Sequence, residues 1–312
     1  MSVDILMIGP MLRSTMDALD IAYEVHRYWL ADDKQALLAE VGHCIKAIAT
    51  DGHRGAPPHV VEQLPNLEMI GCFGVGYDGI DIPFVTGRGI KVSNTPNVLN
   101  DAVAELTLAM MLGLCRRIPQ SDRYVRGGKW LTKGFGLTNE LTGATVGILG
   151  LGRIGKEIAR RCEVFKMSIA YHGRREQLDQ PYRYYSDLAE MARDVDYLVV
   201  IAPGSPETRG IVSREVLEAL GPDGALVNVA RGSLVDEEAL VELLASGKLG
   251  GAALDVFADE PRVPHALVEM DNVVLSPHQG SATHKTRKAM GDLVVDNIAA
   301  HFAGKPLLTP VN

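Results

Sequence analysis

Gly150-Leu151-Gly152-Arg153-Ile154-Gly155 is a G-x-G-x-x-G run set between an apolar stretch, ATVGIL, and a helical pattern, KEIARRCEVF. Glycines at this spacing suit a pyrophosphate: the first permits a tight turn, the second lets the backbone approach the anion, and the third lets the next helix sit close on the strand. In a chain with 32 glycines such a run arises readily by chance. Its weight comes from the strand before it, the helix after it and a further strand, MSIAY, at the proper distance. An acid at the end of that further strand normally binds the ribose 2′-hydroxyl of NAD. Here the chain reads Ala170-Tyr171-His172-Gly173-Arg174-Arg175. No carboxylate stands there to repel a 2′-phosphate, and two guanidinium groups can pair with one. NADPH/NADP is therefore favoured, with NADH weaker; solvated surface charge is the other reading of the two arginines.

Three more segments follow strand-like runs: Asn228-Val229-Ala230-Arg231-Gly232, Asp255-Val256-Phe257-Ala258-Asp259-Glu260-Pro261 and Ser276-Pro277-His278-Gln279-Gly280. Ligands of an open parallel sheet lie beyond the carboxyl ends of its strands, so an Arg, a Glu and a His at these places face one crevice. Singly, each has a plainer reading as a strand end, a loop charge or a turn residue.

The elements that must position these residues are legible as alternation. VDILMI, IKAIA, LEMIGC, ATVGILG, MSIAY, DYLVVIA, ALVNVA, GAALDVF and NVVLS are candidate strands, most without in–out alternation, and helical patterns lie between them. This predicts α/β architecture with parallel sheets buried on both faces. A long helix is expected from Asn100 or Asp101 toward Pro119, bridging two domains, and another over THKTRKAMGDLVVDNIAAHFAG, ending at Gly304. Arg117 to Leu141, which includes GGKWLTKGFG, fits neither period and reads as an excursion toward a partner subunit.

Bulk properties narrow the class. At 312 residues the chain is about two domains long. It is 46% hydrophobic and 22% charged, carries a formal charge of -8 and has no basic run, which argues against nucleic acid and membrane partners. The start, MSVDILMIGP, reads as a strand and not a signal peptide, so the expected location is cytoplasmic. Cys44, Cys72, Cys115 and Cys162 are widely spaced, which predicts reduced core thiols and neither a metal site nor a disulfide framework.

With these motifs in this order, and with GVGYDGID, TPNVL and a closing GKPLLTPV, the chain resembles the D-isomer-specific 2-hydroxyacid dehydrogenases. It is most similar to the NADPH-dependent glyoxylate/hydroxypyruvate reductases and the plant hydroxyphenylpyruvate reductases. The resemblance implies two Rossmann-like doubly wound parallel-sheet domains, a cofactor domain (99–283) inserted into a substrate domain (1–98 and 284–312). It also implies reduction of small 2-oxo acids, glyoxylate to glycolate and hydroxypyruvate to D-glycerate.

Each matching residue then acquires a role. A 2-oxo acid presents a carboxylate and a carbonyl that gains negative charge as hydride arrives, so the site needs a fixed cation and a proton donor. Arg231 would supply a permanently charged fork, and His278 a general acid that works near neutrality. Glu260 would hold the imidazole and favour its protonated form. Val75 and Gly76 match the family's carboxylate-binding loop, and Asp255 the residue that binds the nicotinamide carboxamide. Gly150, Gly152, Arg153, Ile154, Gly155, Gly173, Arg174, Arg175, Ala202, Pro203, Val229, Ala230 and Gly280 complete the expected cofactor contacts.

The turn Ala202-Pro203-Gly204-Ser205-Pro206 departs from the family in carrying Gly204 and Ser205 where a Leu-Thr pair is common. Trp130, Leu131 and Phe135 in the Gly-rich excursion predict a homodimer, since the family's dimers use a comparable arm. Two alternatives remain: a reductase of aryl or branched-chain pyruvates, and a dinucleotide-sensing regulatory protein on the same fold.

Overall fold

Apolar runs that do not alternate become strands covered on both faces, and they do so here in two separate sheets. The computed structural model describes residues 3–312. It divides into two compact units, one made of the chain up to Leu99 with Ser281–Asn312, the other of Asn100–Gly280.

In the first unit β1 (Asp4–Met7), β2 (Glu24–Arg27), β3 (Ile45–Asp51), β4 (Met69–Phe73) and β5 (Lys91–Ser93) form a parallel sheet of order β2-β1-β3-β4-β5. Leu6, Ile45, Ile48, Ile70 and Val92 are buried in one core with Val60, Leu64 and Val85 from the connections. Each such side chain contributes roughly 1.5–3 kcal/mol on burial. The helix His284–Phe302 packs on β4, its Ile298 and Val294 lying 3.3 Å from the place a Cβ on Gly71 would take. Thr283 caps it by accepting the Thr286 amide at 3.0 Å, and Gly304, at φ 68°, follows its end. The C-terminal segment is tied to β5, where Asn312 Oδ1 accepts the Val92 amide at 2.7 Å.

The second unit holds β6 (Thr145–Leu149), β7 (Ser168–His172), β8 (Arg183–Tyr185), β9 (Tyr197–Val200), β10 (Ala225–Asn228), β11 (Gly251–Leu254) and β12 (Val273–Leu275). Their order is β12-β11-β10-β9-β6-β7-β8, all pairs parallel. The progression reverses between β6 and β9, the switch point at which a doubly wound sheet opens a crevice. Leu198, Val200, Leu226, Ala252 and Leu254 share a core with the helices Leu188–Arg193, Arg214–Leu220 and Glu237–Ala245. The alternate residues Val199, Val227 and Ala253 are equally buried. The helix Asn100–Cys115 packs against β10, β11 and β12, and its Leu114 lies 3.3 Å from the Cβ position of Gly251.

All nine expected strands are present, and the structure adds three more, β2, β5 and β8. Each lies at a sheet edge, is three or four residues long and carries charge (EVHR, KVS, RYY), so it never needed the continuous apolar run of a central strand. The segment after Arg117 is also more regular than its sequence suggested. Arg117 adopts a left-handed φ of 51°, and a helix, Ile118–Arg126, starts immediately after it with Pro119 in its first turn. Proline is at home there because that amide has no partner within the helix. A 3-10 turn, Lys129–Leu131, follows. Cys72, Cys115 and Cys162 are buried, and burial pushes the Cys162 thiol up to about 12. Cys44 is exposed, a correction to its expected place in the core. No helix among the described residues is long and apolar enough to cross a membrane.

Candidate active site

β10, β11 and β12 are neighbours, and their carboxyl ends carry Arg231, Glu260 and His278 in that order. The Arg231 turn is built by Asn228, 1% exposed, whose Oδ1 accepts the Ala230 amide at 3.1 Å and whose Nδ2 donates to the Arg231 carbonyl at 2.9 Å. Arg231 Nη1 donates to the Ala230 carbonyl at 2.7 Å. Gly232 then presses on the next loop: a Cβ there would lie 1.9 Å from the Phe257 carbonyl carbon. No other residue allows the Arg231 and Glu260 loops to meet so closely.

Glu260 Oε1 accepts the Phe257 amide at 3.1 Å, which leaves Oε2 directed at His278 Nδ1, 2.6 Å away. With Nδ1 engaged by a carboxylate, Nε2 is the ring nitrogen left for a substrate. The His278 side chain is 42% exposed and that of Glu260 only 19%, so the imidazole is the accessible member of the pair and the carboxylate the sheltered one.

His278 itself sits at φ 50°, a left-handed conformation that costs a β-carbon residue about 1 kcal/mol or more. What holds it there is Asp255, 1% exposed. Asp255 Oδ1 accepts the Ser276 hydroxyl at 2.6 Å and the Gln279 amide at 2.8 Å, Oδ2 accepts the Gly280 amide at 2.9 Å, and the Asp255 carbonyl accepts the His278 amide at 2.8 Å. The sequence places Asp255 and Gly280 among the expected cofactor contacts, while Ser276, Gln279 and Asn228 emerge as supports only in the structure. The signal was their place within the same short segments, SPHQG and NVARG.

The glycine run follows β6. Gly150 takes φ 101°, and a Cβ on it would lie 2.8 Å from the backbone nitrogen and Cα of Ala202, where the turn after β9 passes. Gly155 meets the Gly150 carbonyl, 2.3 Å from its Cβ position, and Gly152 faces open space. The amides of Arg153 and Ile154, first in the helix Arg153–Val164, donate to no protein group among the described residues. Arg174 and Arg175 follow β7, are exposed, and make no ion pair or side-chain hydrogen bond among the described residues. An open glycine cradle, free amides at a helix N-terminus and two uncommitted guanidinium groups fit a dinucleotide with an additional phosphate. No cluster of His, Cys, Asp or Glu among the described residues is arranged to hold a metal ion.

Val75 and Gly76 lie in the other unit, in the loop after β4. The loop is fixed by Thr95, whose hydroxyl accepts the Gly74 amide at 3.0 Å, and by Asn94 Nδ2, which donates to the Val75 carbonyl at 2.9 Å. The Val75 and Gly76 amides donate to no protein group among the described residues.

Residues 108–280 match the family model described as D-isomer specific 2-hydroxyacid dehydrogenase, NAD binding domain. The chain is 46% identical over 310 residues to a glyoxylate/hydroxypyruvate reductase A of Arabidopsis thaliana, covering 99% of each protein. The chain belongs to the D-isomer specific 2-hydroxyacid dehydrogenases. Within that family it is also 45% identical over 310 residues to a hydroxyphenylpyruvate reductase of Plectranthus scutellarioides, again over 99% of each chain. Among solved 2-hydroxyacid dehydrogenase folds it is similar to an NADPH-dependent glyoxylate/hydroxypyruvate reductase of Sinorhizobium meliloti in complex with NADP and malonate. The TM-score is 0.93 at 42% identity, with 100% of this chain and 97% of that chain covered.

Proposed function

We propose that this dehydrogenase reduces small 2-oxo acids with NADPH, glyoxylate to glycolate and hydroxypyruvate to D-glycerate. The observation that carries the reading is the His278–Glu260 pair at 2.6 Å, formed at the ends of strands adjacent to the one that carries Arg231. The Arabidopsis and Sinorhizobium relatives, named for glyoxylate and hydroxypyruvate, support the choice of substrate.

The reduced nicotinamide, when bound, supplies the hydride that the carbonyl carbon accepts. Arg231 binds and orients the 2-oxo acid through its planar fork and stabilises negative charge growing on the carbonyl oxygen. His278 Nε2 gives that oxygen its proton, and Glu260 holds the imidazolium in place while it does so. We assign the substrate carboxylate to the free amides of Val75 and Gly76, in the same sense in which an anion is held by a backbone nest. In this reading the cofactor domain, expected at 99–283, corresponds to the compact unit Asn100–Gly280, and the substrate domain, expected at 1–98 and 284–312, to the other unit. Gly150, Gly152, Arg153, Ile154 and Gly155 take the pyrophosphate, Arg174 and Arg175 the 2′-phosphate, and Ala202, Pro203, Val229, Ala230, Asp255 and Gly280 the remainder of the coenzyme.

We also infer a homodimer, supported by Trp130, 67% exposed, and Leu131, 91% exposed, and a cytosolic location, supported by four free thiols. A second reading, reduction of aryl pyruvates, is favoured by the 45% identity to the Plectranthus protein. Steady-state assays with NADPH against glyoxylate, hydroxypyruvate and hydroxyphenylpyruvate decide: turnover of the two small acids with higher kcat/KM supports the first reading, and preference for the aryl acid replaces it with the second.

A further inference from the structure

The loop that presents Arg174 and Arg175 is held by side chains other than its arginines. Tyr171, the fourth residue of β7, is 1% exposed, and its ring rests against Tyr184 with centroids 5.3 Å apart. Its hydroxyl accepts the backbone amide of Gln177 at 2.7 Å. The side chain of the same glutamine crosses to the glycine run, where Nε2 donates to the Leu151 carbonyl at 2.8 Å. At the other end of the loop the Tyr184 hydroxyl donates to the Gly173 carbonyl at 3.2 Å. Between these anchors the two arginines are exposed and have no side-chain partner among the described residues.

We propose that Gln177, seated on Tyr171 and bonded to Leu151, is a positioning residue that sets coenzyme specificity. It fixes the arginine loop against the glycine turn, the two elements that a 2′-phosphorylated dinucleotide engages together. The proposal rests on the coenzyme reading above. Its physical basis is preorganisation: a loop ordered before binding loses less conformational freedom when the phosphate arrives. Arginine side chains are long and adaptable, so the backbone that carries them must supply the order. A coenzyme without the 2′-phosphate makes no use of the guanidinium groups, and loosening the loop leaves its affinity intact. Selectivity for the phosphorylated ligand therefore separates this role from general support of the fold.

The test is calorimetric titration of the whole protein with adenosine 2′,5′-bisphosphate and with 5′-AMP, in the parent, Gln177→Ala and Tyr171→Phe. Loss of one neutral hydrogen bond corresponds to a change of about fivefold, so bisphosphate affinity should fall by about that factor in either variant while AMP affinity shifts less than about twofold. The ratio of kcat/KM for NADPH to that for NADH should fall in parallel. Should Tyr171→Phe fold poorly, Gln177→Ala, which changes a partly exposed side chain, carries the test alone. A parent that prefers the bisphosphate beside variants that keep the preference overturns the role of Gln177, as do equal losses for both ligands. A parent with no preference for the bisphosphate overturns the coenzyme reading and this proposal with it.

Discussion

The turn that carries His278 and the turn that carries Arg174 and Arg175 follow strands of the same sheet and are built on opposite plans. At His278 the backbone is locked around a buried carboxylate, with Asp255 receiving Ser276, Gln279 and Gly280 and its carbonyl receiving His278. At the arginines the bonds hold the loop's ends, and the two guanidinium groups have no protein partner among the described residues. On the proposed function, the difference follows from what each turn must do. A proton donor has to sit within hydrogen-bond reach of one oxygen, so a left-handed residue is tolerated and heavily braced. A phosphate presents several equivalent oxygens, and long cations reach them without fixed side-chain partners once the loop that carries them is anchored at its ends.

If that contrast is right, His278→Gln is the most damaging single change: kcat should drop by roughly 10²-fold or more with NADPH affinity nearly unaltered. Steady-state kinetics together with NADPH titration measures both. Replacing Arg174 and Arg175 together by Ala should raise KM for NADPH on the order of 10²-fold and leave KM for NADH almost unchanged, the mirror image of the histidine variant. Equal changes for both coenzymes would erase the contrast.

Arg231→Lys keeps the charge and loses the planar fork, so a smaller but mixed effect is expected, about tenfold in kcat/KM with KM raised and kcat lowered. A variant indistinguishable from the parent on glyoxylate and hydroxypyruvate would reduce Arg231 to a strand terminus. Ser276→Ala sharpens the comparison most finely. It removes one of the three donors to the Asp255 carboxylate and leaves His278 itself unaltered, and should lower stability by about 1 kcal/mol in denaturant unfolding. We expect kcat to fall about twofold to fivefold in it; unchanged stability and kcat would mean the brace is redundant.

The same contrast explains what was legible in the sequence. Central strands such as ATVGILG and ALVNVA announce themselves because both faces must be apolar, whereas β2, β5 and β8 lie at edges and carry charged residues that water can solvate. Pro119 marks the end of a helical pattern in the sequence and yet opens a helix, since a proline alone does not reveal on which side of it the helix lies. Arg231, Glu260 and His278 stood out as chemically unusual residues in a recognisable order. Their supports did not: Ser276, Gln279 and Asn228 act through hydrogen bonds that depend on the folding of three loops onto one another, and Gln177 through a carbonyl 26 residues away in the chain.

The most direct test of a 2-oxo acid reductase built on His278 is the product formed from hydroxypyruvate and NADPH. Chiral chromatography of the reaction should show D-glycerate accumulating one for one with NADPH consumed by the parent protein, and at a rate lower by about 10²-fold with His278→Gln. Formation of L-glycerate, absence of glycerate, or equal rates from parent and variant would contradict the account.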